Sequence, residues 1–97
     1  MKNKLSILKI LTDLKEEIES KYNATIKGIF GSYAREEENE NSDIDILVDF
    51  HEEADLFDVS GLALFLREKL NLKVDLIPED SIREEIKDYI LKDTVYI

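Results

Sequence analysis

The stretch DIDILVDF, residues 43–50, places acidic and aliphatic residues in near alternation, and this pattern constrains the fold of the chain more than any other. Successive side chains of a β-strand point to opposite faces, so this alternation predicts a strand with two unlike faces. The aliphatic face consists of Ile44, Ile46 and Val48. That face needs helices packed over it. On the other face, Asp43 and Asp45 repel each other unless a cation lies between them.

The rest of the sequence supplies the helices and further strands. Apolar residues at helical spacing predict helices, and short apolar runs predict strands. We expect these elements at about 5–22 (helix), 25–30 (strand), 56–70 (helix), 72–77 (strand) and from residue 81 onward (helix). Ser81 and Glu84 have the capping-box pattern that begins a helix, and a short helical segment is expected after Gly31. The order predicts an α/β (α+β) domain, a small mixed sheet with helices packed on it.

Length and charge limit the classes of function. With 97 residues, the chain is expected to form a single domain over 1–97. The formal net charge of −10 argues against direct binding of a nucleic-acid backbone and favours a basic or metal-carrying partner. There is no cysteine, and no stretch resembles a signal peptide or a membrane span, so we expect a cytoplasmic protein without disulfides.

The aspartate pair predicts a metal site. Mg²⁺ binds hard carboxylate oxygens and commonly shares them with substrate phosphates. Asp75, in the predicted strand LKVDLI, points away from its apolar neighbours Val74 and Leu76. If that strand lies next to the first acidic one, Asp75 joins Asp43 and Asp45, either as a further metal ligand or as a base for an attacking hydroxyl. Three carboxylates would then serve two ions.

The pair Gly31-Ser32 predicts a phosphate-binding loop. It lies where the strand ending IF turns into the segment SYAREEE. Glycine allows close approach of the backbone to a ligand, while free N–H groups and the Ser32 hydroxyl can bind phosphate oxygens. A phosphate loop opposite a metal pair is the arrangement needed for phosphoryl or nucleotidyl transfer. Tyr33 is expected to be exposed close to the nucleotide.

These motifs together resemble a known family. Gly31-Ser32, ten intervening residues, Asp43-Ile44-Asp45 and a later VDLI are similar to the nucleotidyltransferase superfamily that shares the DNA polymerase β palm. Within that superfamily, FGSYAR, SDIDILVDF and KVDLI resemble the minimal nucleotidyltransferases, the antitoxins of pairs with HEPN-type toxins. The resemblance extends from about residue 26 to residue 77, and the closing ILKDTVYI also resembles the tail of that family.

The resemblance implies a function and a set of site residues. It implies a polymerase β palm-like fold and transfer of AMP from ATP, with Mg²⁺, to a tyrosine of the cognate HEPN-type toxin ribonuclease, which silences the toxin. Gly31, Ser32 and Arg35 would bind the nucleotide. Catalysis and metal binding would fall to Asp43, Asp45 and Asp75. A hetero-oligomer with the toxin is implied as well.

One position departs from the family pattern and leaves alternatives open. Where these proteins usually continue Arg-Gly, this chain has Arg35-Glu36, which would alter the turn and add a carboxylate near the triphosphate. An alternative function is therefore a catalytically weak antitoxin that neutralises its toxin by binding alone. A third, nucleotidyl transfer to a small molecule, is disfavoured because the chain lacks the extra helical sequence that such relatives use to bind an acceptor.

Overall fold

The computed structural model describes residues 3–97, and within that range it contains three α-helices and one four-stranded sheet. In chain order the elements are α1 (Lys4–Tyr22), β1 (Ala24–Phe30), β2 (Ile44–Phe50), α2 (Leu56–Leu70), β3 (Val74–Pro78), α3 (Glu84–Asp93) and β4 (Val95–Tyr96). A 3-10 turn, Glu79–Ser81, separates β3 from α3. The predicted α/β class is confirmed.

The sheet is mixed, with strand order β3-β2-β1-β4. β1 pairs antiparallel with β2 and with β4, whereas β2 and β3 pair in parallel across the α2 crossover. This topology places the acidic strand β2 in the middle of the sheet, between the strand that leads into Gly31 and the strand that carries Asp75.

The core lies between one face of the sheet and the two longer helices. The aliphatic face of β2 is fully buried there, as its alternation predicts. The buried cluster includes Ile44, Ile46 and Val48 of β2, Ile26 and Ile29 of β1, Ile7, Leu11 and Ile18 of α1, and Leu62, Leu66 and Leu70 of α2. Asp45 and Asp49 therefore occupy the opposite face, away from α1 and α2.

Helix ends follow local side-chain chemistry in one case and depart from it in another. Asp55 caps α2 by accepting a hydrogen bond from the Asp58 N–H, and Asn71 ends the helix in the left-handed conformation. The capping box predicted from Ser81 and Glu84 is wrong. Ser81 belongs to the 3-10 turn and donates its hydroxyl to the Pro78 carbonyl, so α3 begins at Glu84 without a side-chain cap.

The segment after Gly31 is a single turn, so the predicted short helix is wrong. The Arg35 N–H donates to the Gly31 carbonyl at 3.1 Å, and the Glu36 N–H donates to the Tyr33 carbonyl at 3.3 Å. Tyr33 is 2% exposed and belongs to the core cluster, so its predicted exposure beside a nucleotide is also wrong. Burial, followed by the negative charges of Glu38 and Asp43, raises the pKa of the Tyr33 hydroxyl.

Glu36 occupies a conformation that suits glycine. Its φ of 61° lies in the left-handed region, which costs an ordinary L-residue about 1–2 kcal/mol. The glutamate therefore stands in strained backbone at a position where glycine would be relaxed.

We expect Glu36→Gly to stabilise the protein by about 0.5–1 kcal/mol, because relief of the strain exceeds the added backbone entropy of the unfolded chain. The free energy of unfolding in urea measures this change. Glu40→Gly, which also removes one negative charge from an exposed turn but lacks a positive φ, is the control and should not stabilise. Equal effects of the two substitutions would refute strain at Glu36.

Among residues 3–97, no helix combines the length and apolar character required to cross a membrane.

Candidate active site

Two aspartates from neighbouring strands stand side by side on the face of the sheet that α1 and α2 do not cover. In the parallel pairing of β2 with β3, Asp45 and Asp75 are direct register partners. Partners in register point to the same face of a sheet. Asp43, just before β2, shares their parity in sequence, and both Asp43 and Asp75 are exposed whereas Asp45 is half-buried.

The environment of Asp45 disfavours its negative charge. Burial, then the charges of Asp75 and Asp43, raise the pKa of Asp45 from 3.8 to about 6, although Arg35 acts in the opposite direction. Asp93 adds a further repulsion. Burial and the repulsion of three other carboxylates thus hold the half-buried Asp45 out of its ordinary ionisation range.

This pKa shift predicts how stability depends on pH when no metal ion is bound. The unfolded chain ionises Asp45 near pH 3.8 and the folded protein only near pH 6, so between these values the folded state binds more protons. The Asp45 contribution to the free energy of unfolding therefore falls as pH rises through this window.

We expect Asp45→Asn to be more stable than the parent above pH 6, by about 1–2 kcal/mol after allowance for solvent screening, and to lose this advantage towards pH 4. Urea unfolding at a series of pH values, in the presence of a chelator, measures the difference. Asp49→Asn, on the same face of β2 but in an exposed position, should show no such dependence. A pH-independent difference for Asp45→Asn would contradict the proposed environment of Asp45.

Gly31 lies against the Asp45 carboxylate at the end of β1. Its φ is +78°, a left-handed conformation that favours glycine, and a Cβ at this position would overlap Asp45 Oδ2. The absence of a side chain therefore brings the backbone of the loop directly beside the acidic group. Ser32, the next residue, is half-buried.

Arg35 and the Gly31 N–H both donate to one carboxylate from the far end of the chain. Asp93 Oδ2, at the end of α3, accepts from the Gly31 N–H at 2.9 Å and from Arg35 Nη1 at 2.7 Å. Arg35 Nε also donates to Glu37 Oε1 at 2.7 Å. The Glu37 hydrogen bond, and after it the charge of Asp93, raise the pKa of Arg35, so the guanidinium remains charged.

A cleft of about 550 Å³ opens beside this cluster. Its walls come from the end of β1, the following turn and the last two turns of α3. The lining residues include Phe30, Gly31, Arg35, Tyr89, Lys92 and Asp93. Tyr89 is 79% exposed, so an aromatic ring stands free at the edge of the cleft.

The structure brings most of the predicted site residues to one end of the sheet. Asp45 lies beside Asp75 and Gly31, and Asp43 and Arg35 are close enough to affect its ionisation. Arg35 is turned towards Asp93 and Glu37. The roles assigned to these residues in nucleotide and metal binding remain predictions.

Asp93 was not predicted. It is 62 residues from Gly31 in the sequence and reaches the loop only because β4 pairs with β1. The segment around it carries no spacing pattern that distinguishes it from other surface aspartates. Only the likeness of the tail ILKDTVYI to the family's tail pointed to this region.

The donor chemistry of the acidic group fits a magnesium ion. Asp43, Asp45 and Asp75 offer hard carboxylate oxygens. Burial and the neighbouring carboxylates, which raise the pKa of Asp45, disfavour a negative charge that a cation would offset. Within residues 3–97, no three acidic or histidine side chains are already arranged as a ligand set for one ion.

Comparison with known proteins places this geometry in a family. The sequence model described as "Nucleotidyltransferase domain" matches residues 9–97. A protein of Methanocaldococcus jannaschii, provisionally named a protein adenylyltransferase, is 43% identical over 98 residues that cover the whole of both chains. The protein adenylyltransferase MntA of Thermococcus cleftensis is 40% identical over 88 residues, covering 91% of this chain and 89% of that protein.

Solved structures show the same fold. One described as a minimal nucleotidyltransferase superposes with a TM-score of 0.83 at 27% identity and covers 99% of this chain and 97% of its own. A crystal structure of a toxin-antitoxin with AMP-PNP superposes with a TM-score of 0.68 at 26% identity, covering 98% of this chain and 72% of that chain. The likeness thus spans nearly all of the chain, including α3 and β4.

Proposed function

This chain belongs to the nucleotidyltransferase domain family, and we propose that it transfers AMP from ATP to a tyrosine hydroxyl of a HEPN-type toxin and so acts as the antitoxin of that pair. Two kinds of similarity support this proposal. Relatives at 40% identity or more bear the name protein adenylyltransferase, and a structural neighbour is a toxin-antitoxin with AMP-PNP. ATP is accordingly the proposed substrate.

The observation that carries the proposal is the contact between Gly31 and Asp45. A left-handed glycine brings the loop backbone directly against a carboxylate whose charge is disfavoured, and Asp75 stands beside that carboxylate in register. A phosphate chain and cations are the ligands that such an arrangement suits, since each offsets the charge of the other.

We assign Asp43, Asp45 and Asp75 as the residues that would hold Mg²⁺. The ion would supply charge neutralisation for the triphosphate and for the leaving pyrophosphate. Asp75 is more exposed than Asp45 and can also accept the proton of the acceptor hydroxyl. In the reaction, the tyrosine oxygen attacks the α-phosphorus, the bond from the α-phosphorus to the bridging oxygen breaks, and pyrophosphate departs.

The loop residues orient the substrate. The Gly31 N–H, the Ser32 hydroxyl and the Arg35 guanidinium are donors that suit phosphate oxygens. Arg35 remains charged and uses only two of its five N–H donors on Asp93 and Glu37. The guanidinium therefore has donors left for phosphate, which it can direct to the substrate once Arg35 Nη1 leaves Asp93.

A partner protein best accounts for the acceptor. Among residues 3–97, the four-stranded sheet and three helices contain about two thirds of the residues, and the longest connection between them spans residues 31–43, which leaves little chain to build a pocket for a small acceptor. The net charge of −10 favours a basic partner through electrostatic steering. We therefore propose that the acceptor hydroxyl is brought by the toxin, in a hetero-oligomer.

A labelling experiment tests the proposal. The purified protein is incubated with ATP labelled in the α-phosphate and with the product of the neighbouring gene, in magnesium or in excess chelator. We expect label on the partner only with magnesium. Label on the partner in chelator would reject the metal requirement. Label on a small molecule in the absence of the partner would reject a protein acceptor.

The state of the loop donors favours a second candidate, an antitoxin that acts by binding alone. The Gly31 N–H is already bonded to Asp93, and Arg35 is engaged by two carboxylates. Under this alternative, Asp45→Asn should protect cells from the partner as well as the parent does. Under the enzymatic function, cells that carry Asp45→Asn should stop growing when the partner is expressed.

A further inference from the structure

We propose that the Asp93 carboxylate occupies the place of a substrate phosphate in the nucleotide-free protein, and that it must release the Gly31 N–H and Arg35 before ATP can bind productively. This inference rests on the proposed function, in which the same two donors bind the triphosphate. In this role Asp93 sets the affinity for nucleotide and keeps the loop aligned until the substrate binds.

The first ground for this proposal is competition for a single hydrogen-bond donor. One oxygen, Asp93 Oδ2, accepts from the Gly31 N–H at 2.9 Å and from Arg35 Nη1 at 2.7 Å. A backbone N–H has a single hydrogen. While it is donated to Asp93 at this distance, it is unavailable to a phosphate oxygen, so the two acceptors compete for the same donor.

The second ground is the negative charge of the Asp93 side chain. Asp93 accepts from the N–H of Gly31, which lies directly against the Asp45 carboxylate, so the negative charge of Asp93 is close to the acidic group. A polyphosphate that enters the site meets this charge as a repulsion. A carboxylate carries fewer acceptor oxygens and less charge than a triphosphate, so the substrate is the stronger acceptor once it is in place.

The packing of α3 makes the exchange feasible. None of the residues of α3 is buried, and the Asp93 side chain is 26% exposed and borders the 550 Å³ cleft. The backbone on its C-terminal side is held separately, because β4 pairs with Gly28 and Ile29 of β1. Asp93 can therefore turn away through its own side-chain bonds while the sheet stays intact.

While it is in place, the same contact positions the loop. It links the end of α3 to the turn that follows β1, and it holds Arg35 next to the acidic group. The donors are thus aligned on an internal anion before the substrate arrives. The cost is a lower apparent affinity, since only molecules whose donors are free bind nucleotide productively.

Binding of a non-hydrolysable ATP analogue with Mg²⁺, measured by calorimetry, tests this role. We expect Asp93→Asn and Asp93→Ala to bind the analogue with a Kd about fivefold to tenfold lower than the parent, since the competitor is removed. The matched control is Asp88→Asn, which removes one exposed negative charge from the same helix and should change the Kd less than twofold. Inorganic tripolyphosphate, tested in the same way, should show the same order.

A second measurement uses the unaltered protein and does not depend on the folding of a variant. In an NMR titration with the analogue, the Gly31 amide and the side-chain carboxyl carbon of Asp93 should shift together. Nucleotide binding that leaves the Asp93 signal unmoved would overturn the proposal, as would weaker binding by Asp93→Asn, because Asp93 would then be a permanent brace for the loop.

The outcomes separate this inference from the proposed function. Nucleotide uptake by all variants, with no tightening on loss of Asp93, rejects the role of Asp93 and leaves AMP transfer intact. Tighter uptake by Asp93→Asn without any transfer to a partner rejects the proposed function and keeps the role of Asp93. No uptake of the analogue or of tripolyphosphate by any form of the protein overturns both.

Discussion

Asp45→Asn should lower AMP transfer to the partner by about 10³-fold or more. The substitution keeps the size of the side chain but removes a metal-binding carboxylate, and metal-supplied charge neutralisation is worth several kcal/mol in such reactions, at about tenfold per 1.36 kcal/mol. The initial rate of label transfer at saturating ATP measures the effect. The free energy of unfolding of the variant, measured in the assay buffer with Mg²⁺, separates a loss of rate from a loss of folded protein.

The control for this experiment is Asp49→Asn. Asp49 lies on the same strand and the same face as Asp45, is exposed, and pairs across β1 with Thr25 at the opposite end from Gly31. We expect its transfer rate to stay within a factor of two of the parent. A rate for Asp45→Asn within tenfold of the parent would remove Asp45 from the proposed metal site.

Gly31→Ala should lower the transfer rate by about 10²-fold, because displacement of a reacting group by about 1 Å is enough for a loss of this size. The added methyl group overlaps Asp45 Oδ2, so either the loop or the carboxylate must move. The backbone at φ +78° adds a cost to stability of about 1–2 kcal/mol. The transfer rate and the free energy of unfolding are both expected to fall.

Gly61→Ala is the matched glycine control. Gly61 is in the interior of α2, where an added methyl group meets only the Tyr22 ring. Transfer by this variant should equal that of the parent, whatever its stability. If Gly31→Ala retained full transfer, close approach of the loop backbone to Asp45 would not be needed for the reaction. That result would contradict the role of Gly31 in the proposed function.

The sequence predicts the parts of this fold that depend on local periodicity. The alternation in DIDILVDF indicates both the strand and its buried face, and Ile44, Ile46 and Val48 are indeed fully buried. Asp55 and Asn71 mark the ends of α2, because a capping side chain and a left-handed residue act on their immediate neighbours.

Features that depend on distant contacts were missed or wrong. β4 has two residues and no periodicity, and it forms only because β1 offers an edge. Tyr33 is buried by the packing of its turn on the core, which nothing in SYAREEE indicates. Asp93 reaches Gly31 through tertiary structure alone.

The site shows the same division. The parity of Asp45 and Asp75 on their strands follows from the sequence, and the register that makes them neighbours comes from the parallel pairing of β2 with β3. The backbone conformation of Glu36 is a feature that the sequence does not predict. The sequence predicts an altered turn at Glu36 but does not indicate that the glutamate adopts the left-handed conformation, which it does at its φ of 61°.

The intact mass of the purified partner, after incubation with this protein, ATP and Mg²⁺, tests the central claim most directly. We expect the mass to increase by whole AMP units, with fragmentation placing the adduct on a tyrosine, and to remain unchanged when Asp45→Asn replaces the parent. A partner that stays unmodified while it forms a stable, non-toxic complex with the parent would contradict the claim that this acidic site transfers AMP.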